Sequence, residues 1–132
     1  MHTYDVLIIG AGIIGTTIAR ELSRNHLDIL LLEKAYDVSM GATKANSAIV
    51  HAGYDAGPGS NKARTNVAGN AMFADWCREL DVAYSNNTSL VVAFAPEQLP
   101  GLKVLLDRGR ENGVPGLSLL SEKQLREREP NI

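Results

Sequence analysis

Val6-Leu7-Ile8-Ile9-Gly10-Ala11-Gly12-Ile13-Ile14-Gly15 decides the fold, together with the run Ile29-Leu30-Leu31-Leu32-Glu33 that follows it. The first four residues are apolar, half of them β-branched, and Gly10 ends the run; this predicts a strand buried on both faces of a parallel sheet. From Ile13 the positions Ile14, Ile18, Ala19 and Leu22 recur at helical spacing, while Arg20, Glu21, Ser23, Arg24 and Asn25 lie mostly off that stripe. The pattern predicts an amphipathic helix of about three turns, closed near Asn25. Asp28 then introduces the second apolar run. Strand, helix and strand make an α/β, Rossmann-like βαβ unit over 4–33.

Gly10, Gly12 and Gly15 fit G-x-G-x-x-G at the junction of the first strand and the helix. In that pattern the first glycine permits the tight turn, the second lets backbone approach a diphosphate, and the third lets helix and strand pack closely. Free N–H groups at the helix start, that of Ile14 among them, and the positive end of its dipole hold the anion. Three glycines alone could merely make a turn. Glu33, eighteen positions after Gly15, adds the acidic group that accepts hydrogen bonds from a ribose. A dinucleotide-binding unit is therefore expected.

Composition narrows the class. The 132 residues carry 13 basic and 15 acidic side chains, a net charge of −2, with 45% hydrophobic residues. No overall field draws such a chain to nucleic acid, which is not expected as a partner. Cys77 is the only cysteine, so no internal disulfide forms, and it is expected to pack rather than react. The first apolar run is too short to span a membrane, and neither a basic leader nor a small-residue cleavage site precedes it. A cytoplasmic location is the expectation.

Residues 35–59 are rich in Gly, Ala, Ser, Thr and Asn and show no helical period. They are expected to form a functional loop with at most a short strand over 48–51. Ser60 stands as an N-cap, and Ala63, Val67, Ala71, Ala74 and Cys77 with Phe73 and Leu80 predict the buried stripe of a long helix ending near Leu80. Met72, Phe73 and Trp76 are read as core. Residues 82–85 and 89–95 suggest a hairpin across Asn86-Asn87. Pro96 and Pro100 suit a helix start, Leu102, Leu105 and Leu106 its apolar side, and Asn112-Gly113 its stop. Ser121 and Gln124 form a capping-box pattern for a short last helix that Pro130 ends.

The βαβ unit cannot separate FAD from a nicotinamide dinucleotide, because both present the same ADP moiety. The next segment decides. A nicotinamide enzyme is expected to enter a second crossover helix soon after Glu33, whereas Ser39-Met40-Gly41-Ala42-Thr43-Lys44-Ala45-Asn46-Ser47 is a loop of small and hydroxylated residues. Such residues admit backbone close to an extended cofactor and offer hydroxyl and amide groups to it. FAD is the expected cofactor, with Ala42, Thr43, Asn46 and Ser47 among its contacts.

Residues 4–15, Glu33-Lys34 and Lys44-Ala45-Asn46-Ser47-Ala48-Ile49-Val50-His51-Ala52-Gly53-Tyr54 together resemble the D-amino-acid-oxidase-like (DAO) family of FAD-dependent oxidoreductases. Within it the likeness is greatest to enzymes oxidising glycerol 3-phosphate, with the L-2-hydroxyglutarate oxidases close behind. Pro58-Gly59-Ser60-Asn61-Lys62-Ala63-Arg64 and Ser89-Leu90-Val91-Val92-Ala93-Phe94 also look like that group. The resemblance implies that Lys34 packs over the adenine side of the cofactor. It implies that 1–132 is the N-terminal part of a longer oxidoreductase, with 82–120 opening a substrate-side insertion. A part beyond this chain would hold further FAD contacts and any peripheral membrane contact, and the isolated piece is expected to be a poor enzyme.

Oxidation of a secondary alcohol by a flavin needs a group to take the hydroxyl proton. His51 is the one good candidate in the loop, since histidine as a residue type exchanges protons near neutrality; the plainer alternative is a structural hydrogen bond beside the cofactor. Lys44, Lys62 and Arg64 are candidates for holding a small anionic hydroxy substrate, against their plainer reading as surface charges. The expected activity is oxidation of glycerol 3-phosphate with electrons passed to an acceptor such as quinone or oxygen. Oxidation of L-2-hydroxyglutarate is the near alternative, and a noncatalytic FAD-binding fragment the alternative of another class.

Overall fold

The computed structural model describes residues 2–132. The chain divides into two compact units, the first ending at Ala48 and the second comprising Ile49–Ile132.

The first unit is the βαβ arrangement. Strand β1 (Val6–Ile9) lies parallel to β2 (Ile29–Leu32), with Val6 opposite Ile29 and Ile9 opposite Leu32. Between them runs helix α1 (Ile13–Leu22). The Asp5 carboxylate accepts the Asp28 N–H at 2.9 Å and so ties the two strand entrances together. At the far end the Gly10 N–H donates to Leu32 O at 2.7 Å, carrying the ladder one residue into the glycine turn.

Packing differs from the sequence expectation in two respects. First, β1 is covered on one face only: Ile8 is buried, but Leu7 and Ile9 are 54% and 83% exposed. Alternate residues of a strand point to opposite faces, and with two strands and one helix there is a cover for only one of them. Second, Ile14 and Ile18 face outward, Ile14 being 74% exposed. The seam is made instead by buried Gly15 with half-buried Ala19 and Leu22, because only a residue without Cβ lets this helix come so close to the turn below it.

The second unit is helical. Helix α2 (Asn61–Glu79) starts at Ser60, whose Oγ accepts the Ala63 N–H at 3.1 Å, as the N-cap expectation required. A 3-10 turn (Pro96–Gln98) leads into α3 (Leu99–Glu111), and Gly113 follows its end with φ +79°. Helix α4 (Glu122–Arg128) opens with the full capping box of Ser121 and Gln124. Such caps each stabilise a helix by about 1 kcal/mol.

Two expectations fail, the hairpin over 82–95 and much of the buried stripe of α2, while the loop expected over 35–59 forms without the short strand allowed for it. Residues 48–51 form no strand, and Ala48 at φ +53° breaks any extended run there. Residues 82–95 form no hairpin. A two-residue hairpin turn needs positive φ at its first central residue or at both, yet here Asp81 (φ +53°) and Thr88 (φ +66°) take it, and Asn86 and Asn87 do not. Of the expected core of α2, Ala63 and Cys77 are buried, but Met72 and Phe73 are exposed, the Phe73 ring meeting Tyr84 at a centroid distance of 5.7 Å. Trp76 is half-buried.

The solvent-accessible surface is 10337 Å², whereas two separate compact bodies of these sizes would expose only about 8,100 Å². Much apolar surface is thus in contact with water. Among the described residues no helix is long and apolar enough to cross a membrane.

Candidate cofactor site

The turn between β1 and α1 places the three glycines differently, and each has its own reason to lack a side chain. Gly10 has φ +99°, a left-handed conformation that strains any L side chain. At Gly15 an added Cβ would stand 1.9 Å from Gly10 O, so helix and turn are in direct contact there. At Gly12 the nearest obstacle is the Thr43 hydroxyl, 3.2 Å from an added Cβ. The second glycine therefore makes room for a side chain of this chain's own loop.

Thr43 occupies that room with purpose. Its Oγ1 accepts the Ile13 N–H at 2.9 Å, capping α1 from a residue thirty positions away. Gly12, the N-cap by position, has no side chain with which to do so. The same loop is tied down again where the Ser39 N–H donates to Ala11 O at 2.9 Å, with Ser39 at φ +62°.

Glu33 closes the arrangement. One carboxylate oxygen accepts the Ala11 N–H at 2.7 Å and the other the Ala35 N–H at 2.9 Å. These two donated bonds, the Ala11 one foremost, hold its pKa below the ordinary carboxylate value. A carboxylate offers about four lone-pair sites, so capacity remains for hydroxyl donors such as those of a ribose.

What the site offers an anion can be counted. Among the described residues nothing accepts from the N–H groups of Gly12, Ile14 or Gly15. No acidic residue lies in the first turn of α1 itself, so the helix brings no negative charge of its own to its positive end. Free amides, a helix start, a close-packed glycine turn and a carboxylate just beyond β2 fit the diphosphate and ribose of a dinucleotide. Among the described residues no cluster of metal-ligating side chains accompanies them.

The structure thus gathers Gly10, Gly12, Ile14, Gly15, Glu33 and Thr43. Among the described residues the others of the expected set make no hydrogen bond to the glycine turn. Lys34 and Ala42 are exposed. Asn46 turns its side chain back on its own loop, its Nδ2 donating to Thr43 O and its Oδ1 accepting the Ala48 N–H at 2.7 Å. Ser47 is exposed. His51 belongs to the second unit, where its ring is exposed and its carbonyl accepts from Asn70 Nδ2 at 3.4 Å. Lys62 is paired with Asp55 at 3.3 Å, and this bond holds the Asp55 pKa below its ordinary value. Arg64 reaches Asn61 Oδ1 at 3.4 Å. The sequence reading missed Ala35 and Ser39, which act through backbone groups that no side-chain pattern reveals.

Comparison with known proteins is consistent with this geometry. The sequence profile of a family described as "FAD dependent oxidoreductase" (DAO) matches residues 5–132. A glycerol 3-phosphate dehydrogenase from Caloramator mitchellensis is 51% identical over 129 residues, which are 98% of this chain and 27% of that protein. Human mitochondrial L-2-hydroxyglutarate dehydrogenase is 36% identical over 97% of this chain and 28% of its own length. The solved structure of dithionite-reduced L-alpha-glycerophosphate oxidase from Mycoplasma pneumoniae with FAD bound superposes with a TM-score of 0.78 at 30% identity. It covers 98% of this chain, which in turn covers 35% of it. The chain therefore spans about a third or less of these relatives.

Proposed function

The chain belongs to the FAD dependent oxidoreductase (DAO) family, and on that premise we propose that it binds the ADP half of FAD at the turn between β1 and α1 and forms part of an enzyme that oxidises glycerol 3-phosphate. The observation that carries the cofactor half is the row of unpartnered N–H groups of Gly12, Ile14 and Gly15, with the Glu33 carboxylate beyond it. The amides bind the diphosphate, and Glu33 takes the ribose hydroxyls. Ala42, Thr43, Asn46 and Ser47 border the extended remainder of the cofactor, and Lys34 its adenine.

When bound, the flavin supplies a hydride acceptor at N5. The chain's own contribution to the chemistry is His51, which takes the hydroxyl proton of the secondary alcohol as general base. An anionic substrate suits the cationic side chains of Lys44, Lys62 and Arg64, and quinone or oxygen would receive the electrons. The substrate assignment rests on the 51% identity to a glycerol 3-phosphate dehydrogenase. The 36% identity to an L-2-hydroxyglutarate dehydrogenase keeps L-2-hydroxyglutarate as the second substrate to examine.

The test is optical. The purified chain is mixed with FAD, and flavin fluorescence and absorbance are followed on anaerobic addition of glycerol 3-phosphate and, separately, of L-2-hydroxyglutarate. Binding with bleaching by glycerol 3-phosphate supports the proposal in full. Binding without bleaching by either compound restricts this chain to holding the cofactor, and no binding at all overturns the cofactor assignment.

A further inference from the structure

The segment 51–56 starts at His51, and its backbone is held by side chains of two helices. Asn112, which stops α3, donates from Nδ2 to Gly53 O at 2.9 Å and to Ala56 O at 2.8 Å. One amide group has two such protons, so it can satisfy both carbonyls. Arg108, one turn earlier, donates to Asp55 O at 2.8 Å. From α2, Asn70 donates to His51 O at 3.4 Å.

Steric fit points the same way. Gly109 lies buried between Arg108 and Asn112, and an added Cβ would meet Tyr54 Cβ at 2.9 Å. A glycine inside a helix costs about 1 kcal/mol relative to alanine; here it gives the loop its seat. Gly53, at φ +99°, is pressed against α2, where an added Cβ would meet Val67 Cγ2 at 3.0 Å. Gly53 and Ala56 are both buried. Electrostatics then explains why the donors are side chains. The C-terminal end of a helix presents its own carbonyls and the negative end of its dipole, so loop carbonyls approaching it need intervening N–H groups, which Asn112 and Arg108 provide.

We propose that Asn112 is a positioning residue for His51: with Arg108 it fixes the 51–56 loop on the end of α3 and thereby holds the imidazole in one place for proton transfer. The proposal deepens the assignment of His51 as general base and rests on it. Asn112 itself touches neither proton nor substrate. Its effect is to remove the loop motion that would carry the base away from the reacting hydroxyl, and misplacement on the scale of 1 Å can cost about a hundredfold in rate.

The experiment uses the whole chain loaded with FAD and compares wild type, Asn112→Leu and Asn112→Gln. Two quantities are read: the His51 ring resonance by carbon-edited NMR, and the rate of flavin reduction by glycerol 3-phosphate with its pH profile. Asn112→Leu is expected to move and broaden the His51 resonance and to lower kcat about ten- to a hundredfold with KM little changed. Asn112→Gln, which keeps an amide donor, should recover part of both. A lower melting temperature with resonance and kcat unmoved makes Asn112 merely structural and overturns the proposal. Should Asn112→Leu fail to fold, Arg108→Met, which removes only the bond to Asp55, is read in the same way. If glycerol 3-phosphate reduces no flavin even in wild type, this chain by itself only holds the cofactor, and the ring resonance alone decides: a His51 resonance unmoved in Asn112→Leu overturns the proposal.

Discussion

The Glu33 carboxylate accepts the Ala11 N–H at 2.7 Å, joining the end of β2 to the glycine turn across 22 residues of sequence. The residue expected to meet a ribose is thus already part of the frame that would hold it.

A pH dependence follows, and its sign is fixed by the direction of the shift. Glu33 has a folded pKa below its ordinary value of 4.5, so the stability it contributes is present above that value and lost as pH falls through the lowered one. The Ala11 and Ala35 amide shifts, followed by NMR, should titrate together with a midpoint below 4.5. Separate midpoints, or a common one above the ordinary value, would contradict the bridge.

Gly15→Ala should be the most damaging of the glycine substitutions in the first unit. Its Cβ would lie 1.9 Å from Gly10 O, with Ile8 Cγ2 at 3.4 Å on the same side. Helix and strand must separate, a loss of about 1–3 kcal/mol from overpacking. Thermal unfolding checks it, and an unchanged melting temperature would show that α1 does not pack on this turn.

Thr43→Val removes the acceptor for the Ile13 N–H while keeping the shape of the side chain. The lost cap should cost about 1 kcal/mol. Hydrogen exchange at the Ile13 amide should accelerate in the cofactor-free protein, and FAD should bind several-fold more weakly. Thr43→Ser, which retains the hydroxyl, should restore both. Equal exchange in all three proteins would refute the cap.

Gly109→Ala sets two effects of opposite sign against each other. Helix propensity favours alanine by about 1 kcal/mol. Against it stand contacts of 2.4 Å to Leu117 Cδ1 and 2.9 Å to Tyr54 Cβ. Leu117 has a flexible end, but Tyr54 Cβ moves only with its backbone, so the clash should prevail by about 1–2 kcal/mol. Urea titration gives the sign directly, and stabilisation would mean that the loop yields easily.

The βαβ unit was legible because every layer of its sequence agrees. The run 6–9, the stripe from Ile13, the glycines and Glu33 all name one arrangement; both strands have the expected ends, and α1 starts at Ile13 as expected but stops at Leu22, short of Asn25. The caps at Ser60 and Ser121 were legible for the same reason, as local chemistry between near neighbours. Burial was not. Periodicity says which residues share a face, but whether a face is covered depends on what packs there, and Leu7, Ile9, Ile14 and Ile18 remain open to water. The hairpin failed on backbone torsion, since Asn86-Asn87 permits a turn without requiring one. Within the site, Gly12 was expected to make room for a diphosphate, yet the Thr43 hydroxyl stands there. Asn112 was legible only as a helix stop, because partners more than fifty residues away leave no local signature.

The uncovered face of β1 bears finally on how the protein unfolds. The steepness of a denaturant transition follows the surface newly exposed, as does the step in heat capacity. A folded chain already showing 10337 Å² to water has less to reveal, so its urea transition should be broad and its calorimetric baseline shift small for 132 residues. Any polypeptide that comes to lie over Leu7 and Ile9 would announce itself by sharpening that transition.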